Sequence, residues 1–330
     1  MSASRTGPAF ARIGLVAGLA GLGLLAPAGP ASACDSASCS LLTRNANGLV
    51  PKKKFRLDLT FGYTDQGRRL QGSEEVEGVY RPLINLETGT VLPAFHRDID
   101  GYDQVVQADV SYGLSRSVNL VGSIPLATWH AHDVAHGSLV QEYGTVGLGD
   151  TLLGVRAGLG PRGLVGGLSL KLPTGNYKIQ GEFGGGIQDP TLQPGTGAWD
   201  VVGLLQYSWP TSFLDLRWSA AASYQATTTN SLDYRFGNQT IVVAGASRGV
   251  WQGLSASLQL KLYHQDRNLF QGQGVASTGS TSFYVTPGLR VAAPHGLSVY
   301  GYLLLVPYTH VNETQLAPSV AFVTGISKLF

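Results

Sequence analysis

With 43% hydrophobic residues against 13% charged ones and 44 glycines in a chain of 330, the composition suits a large sheet whose outer face meets lipid. Setting aside residues 1–33, which carry only Arg5 and Arg12, leaves 21 basic residues against 21 acidic ones, without the basic excess that nucleic-acid binding requires. Beyond that leader no segment holds 18 consecutive apolar residues, which excludes a membrane-spanning helix.

The chain opens as a targeting segment. A basic front is followed by a short apolar core from Ile13 to Ala26, then by Pro27 and Pro30, and Ala31-Ser32-Ala33 has the small-x-small form of a cleavage site. Residues 1–33 therefore read as a secretory signal peptide, with Cys34 the first residue after the cut. A lipoprotein is the alternative, but Ala31 stands where that signal places a leucine. Cys34 and Cys39 are the only cysteines. In an oxidising periplasm they form a candidate disulfide loop, and two thiols alone make an incomplete metal site. Residues 34–54 read as a periplasmic leader ending in Pro51-Lys52-Lys53-Lys54.

From Phe55 the hydrophobic period is two. Phe55, Leu57, Leu59, Phe61 and Tyr63 share one face, and Arg56, Asp58, Thr60 and Gly62 the other. The same separation recurs at 213–226, where Leu214, Leu216 and Trp218 alternate with Asp215, Arg217 and Ser219, and at 253–266. Strands of about ten residues cross a bilayer when tilted. Further candidates lie at 102–114, 117–129, 147–159, 163–173, 196–209, 232–248, 280–294, 297–309 and 315–330.

These twelve strands have two kinds of connection. Residues 115–117, 160–163, 210–212, 249–253 and 294–296 are short and rich in Gly, Pro and Ser. Residues 65–101, 130–146, 174–195, 227–231, 267–279 and 310–314 make the other set, several of them long. An antiparallel transmembrane barrel has this asymmetry, with short periplasmic turns and longer outer loops. The connection at 65–101 is too long for a bare loop, and weak alternation from Glu75 to Leu83 points to an additional hairpin above the membrane. The last strand places Val320, Phe322, Ile326 and Phe330 on one face and ends the sequence on the aromatic. Such an ending resembles the C-terminal signature by which outer-membrane barrels are recognised for assembly. The reading is an all-β transmembrane antiparallel barrel over residues 55–330, closed by its C-terminal strand, in the outer membrane of a Gram-negative bacterium. Tryptophans 129, 199, 209, 218 and 251 fall near strand ends, where interface girdles need them.

Charge on a lipid face costs ~2–4 kcal/mol near the midplane, so the charged residues of the polar faces are assigned to the lumen. They are Asp58, Asp109, Asp150, Arg156, Lys171, Asp200, Asp215, Arg217, Lys261 and Arg290. Their mixed signs suit a structural ion-pair network more than a single-sign ion filter. Strand parity puts Asp150, Lys171 and Asp200 on the inward faces of three successive strands at similar height, as an acid–base–acid cluster near the outer rim.

One segment carries more than periodicity. Gly147-Leu148-Gly149-Asp150, Lys171-Leu172-Pro173-Thr174-Gly175 and Leu192-Gln193-Pro194-Gly195-Thr196-Gly197-Ala198-Trp199-Asp200 follow one another. This series resembles the "MetA-pathway of phenol degradation" family of outer-membrane proteins, itself similar to the group that includes the long-chain fatty-acid transporters. The resemblance implies a channel or uptake porin for small, hydrophobic or aromatic molecules. Its partners would be outer-membrane lipid, a small-molecule solute and the barrel-assembly machinery, and it calls for no cofactor. A closed structural or binding barrel is the alternative.

Two other chemistries have candidate residues. His130, His132, Asp133 and His136 are dense enough to suggest zinc or copper in an outer loop. An outer-wall hydrolase would need a nucleophile and a base with a third partner. No elbow motif is present and no His–Ser pair has a clear third partner, although His264 and His310 stand at outer strand ends. The reading is therefore not an enzyme.

Overall fold

The computed structural model describes residues 48–136, 139–160, 163–181 and 186–330. The expected signal peptide at 1–33 and the candidate Cys34–Cys39 loop lie outside the described residues, as does most of the expected leader at 34–54.

Among the described residues, twelve strands close into an antiparallel barrel. They are β1 (Phe55–Asp65), β2 (Thr90–Gly113), β3 (Val118–His136), β4 (Thr151–Gly158), β5 (Leu164–Leu172), β6 (Asp200–Pro210), β7 (Arg217–Ala226), β8 (Gln239–Trp251), β9 (Leu254–Gln265), β10 (Ser280–Ala293), β11 (Leu297–Val311) and β12 (Val320–Leu329). Each pairs with its chain neighbours. The ring closes where β1 pairs with β12, in register from Arg56↔Leu329 to Asp65↔Val320. At the inner end of that seam Phe330 N donates to Phe55 O at 2.8 Å, and the two rings lie 5.8 Å apart. The terminal aromatic thus packs on the first strand.

Alternation sorts the side chains. Along β12, Val320, Phe322 and Ile326 are exposed and Ala321 and Val323 are buried. Along β11, Leu303 and Leu305 face out while Tyr300, Tyr302, Leu304 and Val306 face in. Exposed Leu59, Leu153, Leu170, Leu205, Leu260 and Leu289 continue the belt around the ring. A closed sheet with an apolar exterior satisfies its backbone without water, as a membrane span must. Tyr63, Tyr102 and Phe322 stack at its outer edge.

Several elements are shorter or longer than periodicity alone indicates. Leu139–Gly147 is a strand of its own that pairs with the upper half of β3, from Thr128↔Gly147 to His136↔Leu139. The lower half of β3 pairs with β4, from Val118↔Ala157 to Ser123↔Leu152. Val79–Asn85 pairs with the upper part of β2, so the hairpin suggested by Glu75 to Leu83 exists and is longer. The stretch 213–216 is not strand: Phe213–Asp215 forms a 3-10 turn in which Leu214 and Asp215 have φ of 54° and 50°.

The outer connections fold over the mouth. Thr314–Ala317, Arg68–Gln71 and Glu74–Glu75 form one small sheet, and Tyr234–Arg235, Leu269–Phe270 and Gln273–Gly274 another. From the wall at β2 the 79–98 hairpin reaches the far side, where Ile84 packs with Tyr234, Phe270 and Val275. Thr314 Oγ1 donates to Tyr80 O at 3.2 Å and Ser277 Oγ does so at 3.4 Å. At the other end the leader enters the barrel. Buried Val50 donates its N–H to Asn119 Oδ1 at 2.7 Å and accepts from Asn119 Nδ2 at 2.9 Å.

Depth dependence follows from the belt. Leu260→Arg, at the middle of β9, is expected to lower unfolding free energy in lipid by ~2–4 kcal/mol, and Trp251→Arg, at the inner end of β8, by ~0–1 kcal/mol. Equal costs in a urea titration of the refolded protein would contradict the assignment of the belt.

Candidate functional site

The centre of the outer lumen is built from the three motif segments. β5 delivers Lys171 just before Pro173 ends it, β6 opens on Asp200, and Asp150 immediately precedes β4. Lys171 Nζ lies 3.0 Å from Asp150 Oδ2 and 2.7 Å from Asp200 Oδ2, with all three side chains buried. The remaining lone pairs have donors. Asp150 accepts from Gly175 N at 3.0 Å and Thr196 N at 2.8 Å. Asp200 accepts from Gln225 Nε2 at 2.9 Å and Thr228 N at 3.1 Å. Thr196 Oγ1 also touches Lys171 Nζ.

Glycine lets these segments meet. A Cβ on Gly175 would stand 2.8 Å from both the Gly149 carbonyl carbon and Gly195 Cα, closer than real carbon atoms approach. Gln193 then clasps the long β5–β6 connection. Its Nε2 donates to Ile179 O and Gln188 O at 3.0 Å each, and its Oε1 accepts from Ile179 N at 3.0 Å. The GLGD, KLPTG and LQPGTG residues are thus one polar knot that anchors the connection inside the barrel.

A second cluster faces it. Two bulges create it by reversing the alternation. Leu126 is an extra residue of β3 between the pairs Gln107↔Pro125 and Val106↔Ala127, and Ile99 an extra residue of β2 between Asp100↔Asp133 and Asp98↔Val134. Above Leu126, His130 and His132 turn inward; above Ile99, so does Asp98. Arg81 of the hairpin pairs with Asp98, donates to Thr191 Oγ1 at 3.3 Å and stands 3.5 Å from His132 Nδ1. His130 lies 3.4 Å from Asp103, which accepts from Gln66 Nε2 at 2.6 Å. His132 stands beyond the end of β1, above the belt. Burial, and then the neighbouring Arg81 guanidinium, push its pKa down to about 4. It is neutral at pH 7.

Between the clusters is a cavity of about 210 Å³, with Arg81, Asp98 and His132 on one side and Asp150, Lys171, Thr196 and Asp200 on the other. Below it lie further charged and aromatic side chains of the inward faces. Asp58 and Asp109 are directly opposed, and Gln107 Nε2 donates to Asp109 Oδ2 at 2.8 Å. Arg156 is buried on β4, where it pairs with Asn119 toward the inner end. Lys261 Nζ sits 3.8 Å over the Tyr284 ring and Arg290 5.0 Å over that of Tyr300.

Two expectations need correction. Asp215 is exposed in the inner 3-10 turn rather than in the lumen, because the strand starts only at Arg217; Arg217 keeps the inward parity but is exposed at the inner rim. The metal set does not assemble either. His130 and His132 face in, whereas Asp133, paired between Asp100 and Glu142, shares the opposite face, and no group of three or more His, Cys, Asp or Glu that could hold a metal ion occurs among the described residues. His136 closes β3 opposite Leu139. His264 and His310 stand at the outer ends of β9 and β11, in contact with Thr281 Oγ1 at 2.8 Å and Ser73 Oγ at 3.1 Å.

Arg81, Asp98 and Gln66 were not legible as site residues, since they sit in the 65–101 connection with only weak alternation, and Asp103, at the start of the candidate strand at 102–114, is not among the charges assigned to the lumen. Thr196 and Gln193 lie within the third motif, and their contacts with Lys171 and Ile179 follow only from the fold.

No protein-family profile and no curated protein matches the sequence. Solved structures do match in fold. An outer-membrane channel of Pseudomonas putida F1, from the group COG4313, is 13% identical, with a TM-score of 0.55 over 85% of this chain and 97% of the other. The chain has the fold of a closed transmembrane β-barrel. Weaker likenesses are the translocator domain of the autotransporter NalP from Neisseria meningitidis, at 10% identity and a TM-score of 0.45 over 90% and 98% of the two chains, and the toluene transporter TodX of P. putida, at 10% and 0.42 over 87% and 94%.

Two outcomes test this site. Lys171→Met leaves two buried carboxylates facing each other and is expected to cost ~3–5 kcal/mol in urea unfolding, part of which Asp150→Asn in the same chain returns. Wild-type stability of the single variant would mean that the knot carries no load. The second concerns pH. The folded pKa of His132 lies below its ordinary value of 6.5, so the unfolded chain binds more protons between those values. Its stabilising contribution is complete above about pH 6.5 and is lost as pH falls toward about 4. His132→Gln should flatten the acid limb of stability in that window and leave stability at pH 8 nearly unchanged.

Proposed function

We propose that the chain is an outer-membrane channel for small hydrophobic or aromatic molecules. The observation that carries this reading is an apolar, aromatic stripe inside the lumen. Tyr300, Tyr302, Leu304 and Val306 climb the inward face of β11, with Tyr284, Val105, Ala321 and Val323 packed beside them. An inward face of a water-filled pore has no need of leucine and valine. A solute with an apolar surface gains by sliding along such a wall, since burial of apolar area is favourable by roughly 25 cal/mol per Å². The fold likeness to an outer-membrane channel supports the reading, and so does the motif resemblance to the phenol-degradation family.

The hairpin laid across the mouth favours a second reading, a closed structural or binding barrel. Under either, residues 1–33 serve as the signal peptide, residues 34–54 as the periplasmic leader, and the C-terminal strand ending in Phe330 as the segment read by the barrel-assembly machinery.

Uptake by proteoliposomes separates the two readings. The channel is expected to admit benzene-sized hydrocarbons faster than protein-free vesicles do. Val306→Asp, which places an uncompensated carboxylate on the stripe at a cost of ~1–3 kcal/mol to a passing apolar solute, should slow hydrocarbon entry about tenfold while the barrel keeps its heat-modifiable migration in gels. A barrel that admits none of the solutes tested would be the closed one.

A further inference from the structure

We propose that the outer luminal cavity is a binding site for solutes that carry a protonated amine on an apolar or aromatic body. The inference rests on the channel reading and narrows its substrate class. Its first basis is charge. Three carboxylates line the cavity, Asp98, Asp150 and Asp200, against two cations, Arg81 and Lys171. Both cations are already held, Arg81 by Asp98 and Lys171 by Asp150 and Asp200. Asp103 stands behind Gln66, and Asp189 behind Thr191, whose N–H it accepts at 2.8 Å. The two histidines on this wall do not offset the excess, since burial lowers the pKa of His132.

The second basis is the direction of the neutral polar groups. Three glutamines of the lining commit their amide nitrogens to the protein. Gln66 Nε2 donates to Asp103, Gln225 Nε2 to Asp200, and Gln315 Nε2 to Gly279 O and Asn312 O at 2.9 Å each. The carboxylate or carbonyl on the other side of each contact fixes which end of the amide it meets, so each turns its carbonyl oxygen the other way. The cavity is thereby biased toward acceptors and calls for a ligand that donates.

The third basis is independent of both. Asp98 is fully buried, lines the cavity, and its Oδ1 has no hydrogen-bond partner among the described residues, although Arg81 meets the other oxygen. A buried carboxylate oxygen without a donor is costly, and a ligand ammonium with three N–H groups is the donor that suits it. Phe236, Pro194 and Leu316 complete the lining and offer apolar surface to the remainder of such a ligand.

The test uses the full chain refolded in detergent and titrated calorimetrically with benzylammonium, benzyl alcohol and benzoate. Benzylammonium is expected to bind about tenfold tighter than the alcohol, a difference of ~1.4 kcal/mol, and benzoate not to bind. Asp98→Asn should weaken benzylammonium about tenfold and leave the alcohol within about twofold. Should that variant fail to show heat-modifiable migration, Asp200→Asn serves the same comparison from the opposite wall. Equal affinity for all three probes, preference for benzoate, or amine binding unchanged in the folded variant would overturn the proposal. Displacement of benzylammonium by an equal concentration of potassium would overturn it as well, in favour of an inorganic cation site. Uptake of benzyl alcohol and benzylammonium at the same rate, without an affinity difference, would leave the channel standing and remove the site. Tight amine binding with no uptake of any solute would do the reverse.

Discussion

In hydrocarbon every backbone N–H and C=O must find a partner within the protein. For a sheet that requirement is met only when the last strand returns to the first, and here β12 lies along β1 from end to end. The rest of the molecule follows from this closure. Antiparallel neighbours demand tight inner turns, which Gly, Pro and Ser supply. Alternation leaves one face for lipid, so the buried charges of the spanning strands, such as Asp58, Asp109 and Arg156, are held in the interior. Asp58 and Asp109 sit directly opposite one another across two strands, an unfavourable pairing on an open sheet. It persists because the other face is closed to charge, and because Gln107 and the interior around it supply hydrogen bonds.

The interior that results is two-sided. One wall, around β4 to β6, holds the Lys171 knot and the returning connection. The other, around β10 to β12, is aromatic and aliphatic. Neither wall alone would make a path for an amphiphilic molecule, and together they present a polar anchor beside an apolar track. The knot and the hairpin fix the outer end of that arrangement by different means. The knot is saturated with hydrogen bonds and packed glycine on glycine. The hairpin leans on side chains such as Ile84 and Arg81 that pack against loops, and contacts of that kind open more readily than a buried ion-pair network.

How far the sequence could be read depends on whether period two survived. It did over β1, β9 and β12, where every second residue from Leu57, Leu254 or Val320 faces away from the lumen, and the closed barrel was legible from it. The Asp150–Lys171–Asp200 contact was also within reach, because no bulge separates those residues from the alternating runs that assign their faces. The strand limits at 147, 196 and 213 were less accessible, since Leu148, Trp199 and Leu214 are apolar residues in turns and mimic the alternation. The second cluster could not be read at all. Asp98 and His132 meet only after two interruptions of the period, and nothing in the composition around Ile99 or Leu126 marks them as supernumerary.

Those two residues have a consequence for how the interior is specified. Above Leu126, even-numbered residues of β3 look inward; below it, odd-numbered ones do. Were β3 to run on through Leu126 in unbroken alternation, without the bulge, it would present Trp129, Ala131 and Asp133 to the lumen and turn His130 and His132 to the surroundings. The same holds for Ile99 and Asp98. The outer half of the interior is therefore written in counting as much as in chemistry: its polarity is set by a pair of single residues that contribute no functional group of their own, and the chemical character of the mouth can be inverted without changing any side chain that lines it.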